Sequence, residues 1–64
     1  MRICRKKLTL VMIDKQMTAK SLAEKSGVSR QTISNVKNGK SCIDAVGNAI
    51  AAALGVPVTD ILED

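Results

Sequence analysis

The stretch LAEKSGVSRQTIS, residues 22–34, breaks a helical apolar pattern at one glycine and resumes it at once. Leu22 and Ala23 give the first helix a buried side, and Gly27 can adopt the left-handed conformation that ends a helix. Ser29, only two residues further on, is a good N-cap for the next helix. A connection this short predicts a tight turn between two helices, which is a helix-turn-helix arrangement.

The flanking sequence shows the same helical spacing, and no segment alternates with a period of two over the length of a strand. We therefore expect an all-α fold of five helices, with the helix-turn-helix at about residues 18–37. Thr18 should cap the second helix. The first, third and fourth helices are expected at about residues 5–15, 30–37 and 43–54, with Leu8, Val11, Met12, Ile43, Val46, Ile50 and Leu54 facing inward.

The last predicted helix is about one turn long. Gly55 should end the fourth helix and Pro57 should open the fifth, so that Ile61 and Leu62 point back to the core. Leu10 and Ile13 fall outside the inward stripe of the first helix, so they either widen its buried face or form a contact surface.

The composition limits the function classes. A chain of 64 residues is expected to form one domain, residues 1–64, with one small core and no large buried active site. It has no histidine, no phosphate-binding loop and no paired carboxylates, so we expect no enzyme, no cofactor and no metal site. No apolar run reaches the roughly 18 residues of a membrane span, and no signal peptide is evident, which makes the cytoplasm the default location.

The two cysteines, Cys4 and Cys42, are far apart in the sequence. Without histidine they do not form a familiar zinc motif. We expect two reduced thiols that pack as small apolar residues, although a disulfide between them remains possible.

Charge is distributed unevenly along the chain. All ten Lys and Arg residues lie in residues 1–40 beside two acidic residues, a net +8, whereas residues 41–64 carry −4. This asymmetry suggests one end that faces a polyanion, either nucleic acid or an anionic membrane surface; the alternative, an ordinary solvated charged surface, stays open from charge alone.

The third helix has a polar outward side. Ile33 and Val36 fix its buried direction at 100° per residue, and the opposite side is free of acidic residues. Arginine can bind guanine through two hydrogen bonds, and Gln or Asn can do the same with adenine. The outward side carries Arg30, Gln31, Ser34, Asn35 and Asn38, which either read base edges or form an ordinary polar helix face.

Two segments beside this helix are candidates for contacts with phosphate. The start of the second helix, with the backbone amides of Ala19 and Lys20, presents a positive helix end. The segment after the third helix could hold the DNA backbone on the other side. The candidate phosphate contacts from this reasoning are Ala19, Lys20, Asn38, Lys40 and Ser41.

The sequence resembles the Cro and lambda-repressor-like helix-turn-helix family, also called Xre-like regulators, over most of its length. The resemblance is carried by MTAKSLAEKSGVSRQTISNVKNGK, residues 17–40, and by AAALGVPVTDIL, residues 51–62. It implies a five-helix DNA-binding domain whose third helix lies in the major groove while the second crosses the DNA backbone. By position, the resemblance also implies that Arg30 and Gln31 read bases with Ser34 and Asn35 behind them, and that residues 18–20, from Thr18, and residues 38–41 contact phosphate.

The sequence departs from this family at two places. Many members pair an Arg of the first helix with a Glu near the end of the third, but Met12 and Lys37 occupy those positions here. Lys37 is thereby free to reach DNA or to disturb the packing. Gly47 stands inside the fourth helix, at a cost of about 1 kcal/mol relative to alanine unless close packing offsets it.

The first functional hypothesis is a small transcriptional regulator, a repressor, that binds double-stranded DNA. We expect a homodimer, formed in solution or only on DNA, through Leu10, Ile13 or the end at Ile61 and Leu62. The alternative is an antitoxin-like or adaptor module that binds protein, although the chain lacks the aromatic residues common in such interfaces. Membrane-surface binding through the first helix is disfavoured, since no aromatic anchor is present.

Overall fold

Regular structure in the computed structural model, which describes residues 1–63, consists of four α-helices and one 3-10 turn. The elements are α1 (Arg5–Asp14), α2 (Ala19–Ser26), α3 (Arg30–Lys37), α4 (Asp44–Leu54) and the 3-10 turn (Val58–Asp60). This confirms the all-α prediction, while the predicted fifth helix is a 3-10 turn. None of the helices in this described part is long and apolar enough to cross a membrane.

The last element is a 3-10 turn because only three residues separate Pro57 from Ile61. The amide of Asp60 donates to the carbonyl of Pro57 at 2.9 Å, and the amide of Ile61 donates to that of Val58 at 3.1 Å. Both bonds join residues three apart, which is the 3-10 pattern and needs fewer residues than an α-helical turn. Asp64 lies outside the described residues.

Helix α1 ends one residue before the predicted boundary. Lys15 is its C-cap, and Gln16 follows with a left-handed φ of +56°. The amide of Met17 then donates to the carbonyl of Met12 at 2.8 Å, which closes the helix as a glycine at this position normally would. A left-handed glutamine has no sequence signature, so this end could be placed only approximately.

One core cluster contains the inward side chains of α1, α3 and α4. Leu8 and Met12 are buried as predicted, and Val11 is half-buried against them. Ile43 was predicted to face the core, and this was wrong, since 69% of it is exposed. It precedes α4 with an extended backbone, so its side chain does not follow the helical spacing. The fully or nearly fully buried apolar residues are Ile3, Leu8, Met12, Leu22, Ala23, Ile33, Val36, Ile50, Ala51, Ala53, Leu54 and Ile61.

The first residues of the chain pair with its last described residues, which the sequence did not predict. The backbone amide of Cys4 donates to the carbonyl of Ile61 at 2.7 Å. The backbone amide of Glu63 donates to the carbonyl of Arg2 at 3.0 Å. Between these bonds, Ile3 and Leu62 form an isolated antiparallel bridge. Ile61 therefore packs in the core as predicted, and Leu62 is half-buried against it.

The glycine inside α4 is explained by the packing of Met1. Gly47 is buried, and a Cβ built on it would overlap the sulfur of Met1. The thioether therefore occupies the space that a side chain at position 47 would take. Backbone bonds between Met1 and Cys42, 2.7 and 3.0 Å long, hold the start of the chain beside α4.

Both cysteines are free thiols in the structure, as expected. Cys4 and Cys42 are half-buried, and Cys42 packs against the apolar core. Cys42 therefore serves as a small apolar residue beside the core.

Candidate nucleic-acid interface

The turn between α2 and α3 is fixed by a glycine and two side-chain caps. Gly27 has a φ of +76°, and its amide donates to the carbonyl of Ala23 at 3.0 Å. Ser26 Oγ accepts from the amide of Val28 at 3.1 Å. Ser29 Oγ accepts from the amide of Thr32 at 3.2 Å, which confirms the predicted N-cap of α3. The turn therefore sets the direction in which α3 leaves α2.

Helix α3 is held against the core by two side chains one turn apart. Ile33 is 0% exposed and Val36 is 1% exposed. Both belong to the core cluster, and helices α1 and α2 both pack on α3. Since both anchors lie on one side of the helix, the other side is presented outward.

The predicted base-reading residues of α3 differ in exposure. Arg30, Gln31 and Ser34 are exposed, whereas Asn35 is half-buried. Arg30 forms no ion pair within the described part of the chain, so its guanidinium is available to a ligand. Exposure of this kind is a requirement for base contact, and the base-reading role itself stays a prediction.

Two of these residues act as a pair. Gln31 Nε2 donates to Asn35 Oδ1 at 3.0 Å, one helical turn further on. The bond restricts the Gln31 amide and leaves its oxygen and one N–H hydrogen free. Adenine offers one acceptor and one donor in the major groove, which is the complementary pattern. Asn35 can therefore hold the Gln31 side-chain amide in an orientation suited to a base edge.

At the start of α2, the predicted cap is formed and is reciprocal. Thr18 Oγ1 accepts from the amide of Ser21 at 3.1 Å, and Ser21 Oγ accepts from the amide of Thr18 at 2.9 Å. The Thr18 hydroxyl is thus occupied in holding the helix end. The amides of Ala19 and Lys20 belong to the first turn and have no intrahelical acceptor, and the Lys20 side chain is exposed. A phosphate at this end would meet those two amides and the Lys20 ammonium.

The segment after α3 presents three exposed polar side chains, those of Asn38, Lys40 and Ser41. The amide of Lys40 donates to the carbonyl of Asn35 at 3.0 Å and closes the helix, so only its side chain is available to a phosphate. The Lys40 ammonium has no ion-pair partner among residues 1–63. Like the start of α2, this segment is a candidate for backbone contact.

Met12 and Lys37, at the two positions where the resembled family often has a buried ion pair, differ in burial. Met12 is 4% exposed and fills the core, so no charge is required to face it. Lys37 is half-buried at the last turn of α3, and no charged residue in the described range is buried. Its ammonium therefore stays at the surface, and the core of the helix pair remains apolar.

The prediction from sequence missed three cations beside the end of α3. Arg2, Arg5 and Lys6 line an open groove of about 500 Å³ together with Asn38 and Gly39. The groove brings together residues more than thirty positions apart, so periodicity within a helix could not reveal it. Among residues 1–63, no three His, Cys, Asp or Glu side chains cluster closely enough to hold a metal ion.

Comparison with protein families agrees with this geometry. A family model described as a Cro/C1-type HTH DNA-binding domain matches residues 7–64. The match spans the turn, both of its helices and the segment through the 3-10 turn, which are the parts that carry the resemblance in the sequence. No curated protein and no solved structure gave a significant match.

Proposed function

The chain belongs to the family of Cro/C1-type helix-turn-helix DNA-binding domains, and from this we propose that it is a small regulator of transcription that binds specific duplex sequences. The observation that carries the proposal is the outward side of α3. Arg30, Gln31 and Ser34 are exposed there, and Ile33 and Val36 anchor the opposite side. Residues 1–64 act as one domain in this proposal, and they act in the cytoplasm.

In this proposal α3 enters the major groove, and α2 crosses the DNA backbone. Arg30 and the Gln31–Asn35 pair read base edges, with Ser34 behind them. The α2 end at Thr18, Ala19 and Lys20 binds the phosphates of one strand. Asn38, Lys40 and Ser41 bind phosphates on the far side of α3. A bound domain that covers promoter DNA would block transcription, so the expected regulator is a repressor.

A homodimer on DNA would place two α3 helices about 34 Å apart on successive turns of one face of the duplex. Helix α1 carries exposed apolar side chains, since Leu10 is 66% and Ile13 is 68% exposed. We propose that these two residues contact a second copy of the chain. Sedimentation equilibrium with and without a two-site duplex distinguishes a dimer formed in solution from one formed only on DNA.

The same exposed residues support the alternative function, a module that binds another protein. A protein complex held by Leu10, Ile13 and the 69% exposed Ile43 would depend on apolar burial. Its affinity would then change little with salt. DNA binding releases counterions, and its affinity falls steeply as salt rises.

The proposal is tested by selecting bound sequences from a random duplex pool at two salt concentrations. We expect recovery of a common short sequence and a steep loss of affinity between the two conditions. A pool that stays random at both salt concentrations, or affinity that is insensitive to salt, would contradict sequence-specific DNA binding.

Lys40→Ala should weaken binding by a similar factor on every duplex sequence. Its exposed ammonium is placed beside α3 and would contact phosphate, which is the same in all sequences. We expect the slope of log affinity against log salt to become shallower by about one unit. Fluorescence anisotropy on the selected duplex and on an unrelated duplex measures both effects, and an unchanged slope would exclude Lys40 from the phosphate contacts.

A further inference from the structure

A groove beside the end of α3 has cationic walls that the proposed DNA contacts do not use. We call it the basic groove; its lining residues are Arg2, Ile3, Cys4, Arg5, Lys6, Asn38, Gly39 and one acidic residue, Glu63. Its volume is about 500 Å³ and it opens to solvent. Asn38 is also a candidate phosphate contact, so the groove is continuous with the proposed DNA interface.

Two guanidinium side chains converge on Gly39. Arg2 Nη2 donates to the carbonyl of Gly39 at 3.3 Å. The stem of Arg5 lies over the same residue, since a Cβ built on Gly39 would lie 3.0 Å from Arg5 Cδ and 3.9 Å from Arg5 Nη1. The turn at Gly39, with a φ of +94°, therefore brings the start of α1 and the end of α3 together.

The charges in the basic groove are not balanced by the described residues around it. Arg2 Nε lies 3.3 Å from Glu63 Oε2, and both side chains are more than half exposed. An exposed pair of this kind contributes little energy and can be exchanged for another partner. Arg5 and Lys6 form no ion pair among residues 1–63. Among residues 1–63, three cations thus face one carboxylate in this groove, and an anion there would relieve the mutual repulsion of the cations.

We propose that the basic groove binds a phosphate group of the duplex backbone, in addition to the two phosphate-binding segments named above. This inference rests on the proposed function. Guanidinium groups match the geometry of phosphate oxygens and can donate two hydrogen bonds each. The groove adjoins Asn38 and lies near Lys40, so one DNA strand that leaves the end of α3 can continue to Arg5 and Lys6. Glu63 competes with this phosphate for Arg2.

The test compares Arg5→Gln and Lys6→Gln with Lys15→Gln by fluorescence anisotropy on a labelled duplex over a range of salt. Lys15 caps the opposite end of α1, about 15 Å from Arg5 along the helix. We expect Arg5→Gln to make the salt slope shallower by about one unit and Lys15→Gln to leave it unchanged. Arg5→Lys keeps the charge and should keep the slope. Glu63→Gln should raise the affinity, since Arg2 loses its competing carboxylate.

Two outcomes would overturn the inference while leaving the proposed function intact. One is an unchanged slope in Arg5→Gln and Lys6→Gln when Lys40→Ala makes it shallower. The other is binding of free inorganic phosphate at Gly39, followed by NMR, without any effect of Arg5→Gln on duplex affinity. Failure of the unaltered chain to bind any duplex would instead refute the proposed function, and this inference with it. Circular dichroism on each variant verifies that the fold is retained.

Discussion

Ile33→Ala is expected to lower the free energy of unfolding by about 2–5 kcal/mol. Ile33 is 0% exposed and lies where α3 meets the core. Truncation removes buried apolar surface and leaves a cavity that the neighbouring helices fill only in part. Domains are stable by about 5–15 kcal/mol, and a chain of this size belongs near the lower limit. A substantial fraction of the variant should therefore be unfolded.

The matched control is Ile43→Ala, which removes the same atoms from a side chain that is 69% exposed and lies outside the proposed dimer contact. We expect its free energy of unfolding to stay within about 0.5 kcal/mol of the unaltered chain. Urea unfolding followed by far-ultraviolet circular dichroism measures both variants, since the chain has no aromatic residue for fluorescence. Equal effects of the two substitutions would show that α3 is not anchored as described.

The helix-turn-helix was predictable because its determinants are local. Thr18 caps α2 through residues within one turn, Gly27 ends it by its own backbone conformation, and Ser29 caps α3 in the same way. Each of these interactions joins residues no more than four positions apart, so a short window of sequence contains all the information required. The periodicity of Ile33 and Val36 then gave the outward side of α3.

The structure at the start of the chain was not predictable for the opposite reason. Ile3 is buried through pairing with Leu62, a residue almost sixty positions away. Met1 lies against Gly47, so the glycine is understood only after the two segments are seen together. Ile43 was wrongly predicted to face the core because the helical spacing was continued to Ile43, one residue before α4 begins. Long-range pairing and exact helix ends are not encoded in periodicity.

The candidate site also has a part that local sequence patterns predict and a part that depends on long-range packing. Exposure of Arg30 and Gln31 follows from the helix alone, and the bond from Gln31 to Asn35 is a contact between residues four apart. The basic groove depends on how the turn at Gly39 meets the start of α1, which no local pattern specifies. Its cations were visible in the sequence only as excess positive charge.

Gln31→Ala is expected to cost about 1–3 kcal/mol of binding free energy on the selected duplex and to relax preference at one base position. Gln31 is exposed on α3, and its amide retains a free acceptor and a free donor for a base edge. Arg30→Ala should cost a similar amount at a different position. Asn48→Ala, which removes an exposed amide from α4, serves as the control and should leave affinity and preference unchanged.

A double-mutant cycle of Gln31 and Asn35 can distinguish whether Asn35 contacts DNA itself or acts by holding the Gln31 amide. If Asn35 acts by holding the Gln31 amide, then Asn35→Ala should weaken binding in the unaltered chain and have a smaller effect once Gln31 is alanine. Additive losses would mean that the two residues contact DNA independently. Losses from Gln31→Ala that are equal on every duplex sequence would contradict base reading, because only contacts to the backbone are insensitive to sequence.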